Sequence, residues 1–322
     1  MNIYERSFLM AQFERVAVTG AAGLLGRYLV DALDAPGRRL TAFDRREPDQ
    51  RALDAHPDVE WQTGDMLDRA ALDRLVADKD AIVHAAAVPN IWSGNGETIM
   101  KVNVLGTWQL FDAAEAAGVK RVVLCSSDSV VGYTVHEGRL VPPQYAPVDD
   151  VHPLQATDPY ALSKILCEDI ARAAAYRGME VVVLRPVFIA YPEMEGEIRA
   201  RAASPSTYRG GMAGGPSTAG GGPLHHHVDP RDVGAAFAAA LSFDFDTAKP
   251  RYERFFLTAQ TTLSPEPTLA RLERLLGQPI PVRNPEQFER NPFAPLYDLA
   301  PLRERLGFVP QYDQRHLLDL DK

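Results

Sequence analysis

The chain has 322 residues, 46% of them hydrophobic and 24% charged, an ordinary globular composition with length for one large domain or two unequal lobes. Its 34 Lys and Arg against 43 Asp and Glu give a formal net charge of −9, which argues against a general binder of nucleic acid or anionic membrane, because phosphate surfaces select clustered cations. Two cysteines, Cys125 and Cys167, cannot build a disulfide framework, no Cys/His spacing suits a metal, and the expected setting is a reducing cytoplasm.

From the N-terminus, MNIYERSFLMAQFERV holds no continuous apolar stretch of the signal-peptide kind, so secretion is not expected. Met10 is a candidate start, with the nine residues before it read as a tail. Short β-branched runs then predict strands at residues 15–19, 40–43, 59–62, 81–84, 121–125 and 181–184. Helical stretches at 24–33, 67–77, 98–117 and 160–177 lie between them. Such alternation means right-handed βαβ crossovers and a parallel sheet, and unbroken apolar runs such as VVVL suit strands covered by helices on both faces. The apolar runs at 81–88 and 181–190 are shorter than the roughly 20 residues a bilayer requires, so no membrane partner is expected.

After Pro192 the pattern changes. Residues 196–222 hold eight of the 23 glycines, too many for a regular element given the backbone entropy that glycine loses on folding. Nine of the 25 prolines fall in the last 60 residues, around helices predicted at 230–241, 265–276 and 300–306, the last with Gly307 as its C-cap. The expected division is a sheet domain of residues 12–186 plus 228–244, and a smaller lobe of 187–227 and 245–322 carrying a Gly-rich lid at 196–222.

The first predicted strand, RVAVTG, runs into AAGLLGRYLVDAL, where Gly20, Gly23 and Gly26 form a GxxGxxG turn that opens an amphipathic helix. A pyrophosphate site needs glycine there for the tight turn, for backbone approach to the anion and for close helix packing, while the helix N-terminus offers free N–H groups. The second strand ends at Asp44, 18 residues past Gly26, where an acid binds ribose hydroxyls and repels a 2′-phosphate. Arg45 and Arg46 follow and suit that phosphate instead, so NAD is favoured over NADP without excluding it. Asp65 and Met66 after the third strand suit an adenine edge. The fourth strand ends His84-Ala85-Ala86-Ala87, where small side chains leave room for a cofactor; His84 itself reads as a satisfied strand-end histidine with no catalytic part.

Tyr160 and Lys164 form YxxxK, which on a helix sets the ammonium beside the phenol. A cation there is expected to lower the phenol pKa from its ordinary ~10 toward working pH, so that the tyrosine exchanges protons with an alcohol or carbonyl. Upstream, VVLCSSDSVVG is a buried strand ending in Ser126 and Ser127, where a serine can hold the same oxygen. An ordinary exposed helix pair is the bland alternative for Tyr160 and Lys164, weakened by the serine and the glycine turn.

In this order, TGAAGLLG, the strand-end Asp44, GDMLD, HAAA, KVNVLGTWQLFDAA, VVLCSSDSVVG, YALSK, LRPVFIAYP, HHVDPRDVGAAF and LRERLGFVP resemble the extended short-chain dehydrogenases/reductases, which include the NAD-dependent epimerase/dehydratase group. The resemblance runs from about Arg15 to Pro310. It implies a Rossmann-like α/β fold, a doubly wound parallel sheet with a smaller C-terminal substrate lobe, and a nicotinamide at the strand carboxyl ends. By position, Ser127 matches the catalytic serine, Tyr160 the acid/base, Lys164 the residue that tunes it and holds the nicotinamide ribose, and Asn103 a bracing asparagine that otherwise reads as bonded to nearby backbone. The same match makes Ala22, Leu24, Leu25, Cys125, Pro186 and Phe188 candidates for the cofactor site. Ser129, Phe188, Tyr191 and His226 are candidates beside Ser127 for the substrate.

Nucleotide-sugar epimerases of the family carry an asparagine where Phe188 stands, and the Gly-rich segment offers only Arg199, Arg201 and Arg209 to a diphosphate. The run SSDSVVGY is closer to uronate dehydrogenase-like members. The expected activity is therefore an NAD-dependent oxidoreductase acting on a small sugar-like or sugar-acid substrate. An epimerase or dehydratase with tightly held NAD is the alternative, and a non-catalytic NAD(H) sensor or scaffold is an alternative of another class. Consecutive histidines His225, His226 and His227 alternate faces on a strand, so no metal is assigned to them. Ala-rich sides on helices 98–117 and 160–177 allow close packing, and the resemblance implies a homodimer through them, although packing on the sheet uses part of the same faces.

Overall fold

In a computed structural model, which describes residues 13–132, 141–203, 226–246 and 250–318, the strands form one parallel sheet. They are β1 (Arg15–Thr19), β2 (Arg39–Asp44), β3 (Glu60–Thr63), β4 (Ala81–His84), β5 (Arg121–Cys125), β6 (Glu180–Pro186) and β7 (Tyr252–Leu257), in the order β3-β2-β1-β4-β5-β6-β7. The order reverses at β1, so the crevice between β1 and β4 opens at their carboxyl ends, where doubly wound folds bind ligands. Register fixes the neighbours of that crevice: Thr19 pairs with Phe43 on one side and His84 on the other.

Each unbroken apolar strand feeds two cores, because successive side chains point to opposite faces. Val16, Val18, Val83, Val123, Val182 and Leu184 enter the cluster under α1 (Leu24–Leu33) and α8 (Pro230–Leu241). Ala17, Ile82, Val122, Leu124, Val181 and Val183 enter the cluster under α3 (Arg69–Val76), α5 (Gly106–Ala116) and α6 (Pro159–Tyr176). A fully buried Val or Leu contributes about 1.5–3 kcal/mol, so the two layers hold the sheet from both sides. Close approach of α1 to α8 depends on Gly234, where a Cβ would stand 2.5 Å from the Tyr28 carbonyl oxygen.

Several boundaries differ from expectation. The predicted helix 98–117 is three consecutive pieces, α4 (Gly96–Ile99), a π-helical turn (Met100–Leu105) and α5. Asn95 caps it by accepting the Thr98 N–H at 2.8 Å. A seventh strand, β7, pairs along β6 from the segment 245–322 that had been assigned to the smaller lobe, so the sheet extends past residue 244. Its mixed sequence YERFFL hides the strand, since only its end is fully apolar. Three short helices were not anticipated: α2 (Gln50–Ala55), α7 (Glu195–Ala203) and α10 (Pro285–Arg290). Residues 196–203 of the expected lid are thus helical, and the rest of it, with His225, lies outside the described residues.

After β7 the chain carries α9 (Thr268–Leu276), α10 and α11 (Ala300–Glu304), with Gly307 past the last of them at φ 71°. Backbone bridges from Ala146 to Val282 and from Val148 to Tyr297 join this segment to the chain before α6, and a third bridge pairs Ile189 with Val228. Among the described residues no helix is long and apolar enough to cross a membrane.

Candidate active site

The glycine turn follows β1 as expected. Gly20 takes φ 76°, and a Cβ there would lie 2.8 Å from the Ala86 backbone nitrogen. At Gly26 a Cβ would lie 2.1 Å from the Gly20 carbonyl oxygen, so only glycine lets the helix start so close to the strand. Gly23 caps α1 without a side-chain bond, which leaves the first N–H groups of Leu24, Leu25 and Gly26 outside the helical ladder. Asp44 is buried at the end of β2; its carboxylate accepts the Ala22 N–H at 3.1 Å and the Arg46 N–H at 2.9 Å. Arg46 reaches back to donate to the Ala22 carbonyl at 2.7 Å, while Arg45 is exposed. Asp65 is exposed and accepts the Leu67 N–H at 2.9 Å, and Met66 is buried against Gly106.

His84 is placed as a brace. Thr19 Oγ1 accepts the Ala85 and Ala86 N–H groups, each at 3.2 Å, so its single proton goes to His84 Nδ1 at 2.7 Å. The imidazole proton then sits on Nε2 and is donated to Thr107 Oγ1 at 2.9 Å. Burial pushes the His84 pKa down to about 3, with Lys164 adding to the effect, so the ring stays neutral. Both ring nitrogens are occupied, and the Ala85–Ala86 backbone that Thr19 holds is what Gly20 packs against. Ala87 follows, half-buried. Asn103 does the same for the next stretch. Its Oδ1 accepts the Val88 N–H at 2.7 Å, and its Nδ2 donates to the Val88 carbonyl at 3.1 Å and to Ser163 Oγ at 3.0 Å. Asn103 thus bonds the backbone that follows β4 and joins it to Ser163 on α6.

The serine, tyrosine and lysine meet at the carboxyl end of β5. Asp158 caps α6 by accepting the Ala161 N–H at 2.8 Å, and Pro159 opens it, which fixes the start of the helix one residue before Tyr160. Lys164 is buried and donates to the Cys125 carbonyl at 2.8 Å, with its Nζ 5.7 Å from the centre of the Tyr160 ring. Burial opposes its charge, but Tyr160, Cys125, Cys167 and Glu168 together outweigh that and raise its pKa. The phenol of Tyr160 is pushed up by burial, while Lys164 and the Ser127 hydroxyl pull it down and Asp128 pushes it further up. Lys164 thus acts in the expected direction, yet the net shift is upward: desolvation of a phenolate outweighs one ammonium. Ser127 accepts the Ser129 N–H at 3.1 Å, and the turn from Asp128 to Val131 closes at Gly132 in the left-handed region.

Of the residues assigned to substrate, Ser129 is buried and its hydroxyl finds no partner among the described residues. Phe188 and Tyr191 are half-buried against the small cluster of Ala190, Met194, Ile198 and Leu263 just beyond Pro186 at the end of β6. The Tyr191 ring lies 6.1 Å from that of Tyr28 on α1. His226 accepts the Leu296 N–H at 2.9 Å and packs its ring 4.9 Å from Tyr297. His227 is fully buried, its pKa pushed down to about 4 by burial, and accepts the Gln314 N–H at 3.2 Å. Among the described residues no group of three or more His, Cys, Asp or Glu is placed to hold a metal.

Four residues at the site escaped the sequence reading. Glu168 lies four residues beyond Lys164 on the same face of α6, and its carboxylate is held by Arg185 at 2.9 and 2.7 Å and by the Ser126 hydroxyl at 2.5 Å. Tyr297 reaches from the smaller lobe to donate to Asp128 at 2.8 Å, across 169 residues of chain. Glu168 was visible as the third member of a four-residue spacing; Arg185 was visible only as a charge inside an apolar strand; the Asp128–Tyr297 pair left no local signal.

The family model for the NAD dependent epimerase/dehydratase family matches residues 16–251. Among curated proteins, the chain is 36% identical over 177 residues to sterol demethylase protein B of Methylococcus capsulatus, covering 54% of this chain and 51% of that protein. It is 34% identical over 182 residues to uronate dehydrogenase of Pseudomonas syringae pv. tomato, covering 56% of this chain and 61% of that one. The matched stretches thus span about half the length of the curated relatives. A solved structure of a short-chain dehydrogenase/reductase superfamily protein from Agrobacterium tumefaciens with bound NAD superposes with a TM-score of 0.64 at 25% identity, covering 95% of each chain. Family model, sheet order and glycine turn agree: the chain belongs to the NAD dependent epimerase/dehydratase family.

Proposed function

We propose that the chain is an NAD-dependent oxidoreductase that acts on a hydroxyl-bearing carbon of a small, sugar-like substrate. The observation that carries this reading is the meeting of Ser127, Tyr160 and Lys164 at the end of β5, with β4 between it and the strand that leads into the glycine turn. The residues fit the dinucleotide: Gly20 and Gly26 let the turn and α1 lie tight against their own backbone neighbours, where a Cβ would clash, α1 presents unbonded N–H groups, and Asp44 sets a carboxylate at the end of β2. That carboxylate favours ribose hydroxyls over a 2′-phosphate, hence NAD over NADP. When bound, NAD supplies the hydride acceptor. Tyr160, as the phenolate, takes the proton of the substrate hydroxyl and becomes the phenol, Ser127 holds that oxygen by a hydrogen bond, and Lys164 stabilises the phenolate before the transfer.

Uronate dehydrogenase and UDP-glucose 4-epimerase among the relatives support sugar chemistry, and the Phe188 side chain in place of an amide supports a substrate without a nucleotide handle. The test is a panel of free sugars, sugar acids and alcohols offered to the full chain with NAD. Reduced nicotinamide should accumulate with substrate; turnover with no change in its absorbance band would replace this reading with an epimerase.

A homodimer in the cytoplasm completes the proposal. Leu105 and Trp108 on the π-turn and α5, with Leu162 and Tyr176 on α6, are 46%, 50%, 43% and 70% exposed, more apolar surface than two solvent-facing helices normally carry. Both free cysteines are buried, as a reducing compartment permits. A mass of one chain by light scattering would reject the dimer.

A further inference from the structure

Asp128 follows the catalytic serine directly, and the mechanism above leaves it without a task. We propose that Asp128 sets substrate class at this site, admitting a neutral, hydroxyl-bearing substrate and turning away one that carries a carboxylate beside the reacting hydroxyl. The inference rests on the oxidoreductase reading.

Position comes first. Asp128 begins the short turn that Ser127 caps, and its Oδ1 lies 3.4 Å from Ser127 Oγ. Its other oxygen, Oδ2, accepts the Tyr297 hydroxyl at 2.8 Å, which ties the carboxylate to the lobe expected to bind substrate. Its charge acts on the Tyr160 phenol, so it lies within Coulomb reach of the reacting oxygen. Next to it the Ser129 hydroxyl is buried with no partner among the described residues, a polar group placed for a ligand.

Charge decides the class. Among the described residues, the titratable groups on the elements packed around Asp128 are Cys125 on β5, Tyr160 and Lys164 on α6, Tyr191 after β6, and Tyr297 with His226 against its ring. Lys164 is the one cation of this set, and its ammonium is spent on the Cys125 carbonyl and on Tyr160. Farther out, Arg185 is taken by Glu168 and Arg27 by Glu193. A second carboxylate brought beside Asp128 would meet like charge in a desolvated pocket, a juxtaposition that costs several kcal/mol. A sugar hydroxyl in the same place would donate a charge-assisted hydrogen bond instead.

Burial pushes the Asp128 carboxyl up to about 6, against the hydrogen bonds from Tyr297 and Ser127 that pull it down. It is therefore an anion well above that pH and neutral well below it, and the discrimination should follow the same curve.

The test compares kcat/KM for neutral aldoses and for the matching uronic acids, with the full chain and NAD, at about pH 8 and about pH 5, where a uronate remains ionised. Wild type should favour the neutral sugar by at least about tenfold at the higher pH, with the ratio falling toward one at the lower. Asp128→Asn should bring the ratio toward one at both. Tyr297→Phe, which removes a hydrogen bond and keeps the charge, should preserve the preference and move its loss to higher pH. Preference for the uronate by wild type at about pH 8, or an unchanged ratio in a folded Asp128→Asn, overturns the role of Asp128. Failure of wild type to turn over either class while still binding NAD overturns the oxidoreductase reading itself, and the inference with it.

Discussion

Tyr160→Phe is expected to bind NAD as wild type does and to lose turnover by ~10²–10⁴-fold, the range for removing a general acid–base group. That is about 3–5 kcal/mol of transition-state stabilisation from one oxygen atom. The ring stays, so Lys164 keeps its bond to the Cys125 carbonyl and the packing at the end of β5 is unchanged. Because burial holds the phenol above its ordinary range, Tyr160 carries its proton at neutral pH. Alcohol oxidation, which needs the phenolate, should rise with pH through that raised pKa, while carbonyl reduction, which needs the phenol, should fall. The Phe variant should show neither limb. Initial rates in both directions across pH, with NAD titrated by fluorescence, read all of this; turnover within about tenfold of wild type would remove Tyr160 from the mechanism.

What the sequence shows and what it hides follow from the range of each interaction. The glycine turn, Asp44 and YxxxK are local: a tight turn, a strand end and one helical face each leave their constraint in a few adjacent residues. So do the alternating strands, whose side chains divide between the two cores as a period of two requires. His84 could be read as a satisfied core histidine from its strand alone, but not its partners, since Thr19 lies 65 residues before it. The pKa of Tyr160 went the other way from expectation because an i,i+4 lysine is visible in a sequence and the depth of a pocket is not. β7 was missed for a related reason: its pairing with β6 is set by tertiary context, and YERFFL has no clean period.

Glu168→Ala is expected to destabilise the fold by about 3–5 kcal/mol, the cost of leaving one partner of a buried ion pair uncompensated. Against a total stability of about 5–15 kcal/mol this is a large share. The carboxylate is 2% exposed and Arg185 is 0% exposed, so water cannot replace the lost partner. Three bonds go at once: two from Arg185, and one from Ser126, whose neighbour is Ser127, the serine proposed to hold the substrate oxygen. The pair also joins α6 to β6, and Tyr160, Lys164 and Glu168 share the α6 face turned toward β5, so loosening it loosens the geometry of the reaction. Urea unfolding with an unchanged slope should report the loss. Replacing both partners by apolar residues, Glu168→Leu with Arg185→Met, should recover much of the stability, since it removes the stranded charge along with the attraction. That double variant separates two contributions. If stability returns and turnover does not, the ion pair and the Ser126 bond serve to position the catalytic face. A loss below about 1 kcal/mol in Glu168→Ala, the size of an exposed pair, would mean that Arg185 finds water or another acceptor in the variant and that the buried pair is not what joins α6 to β6.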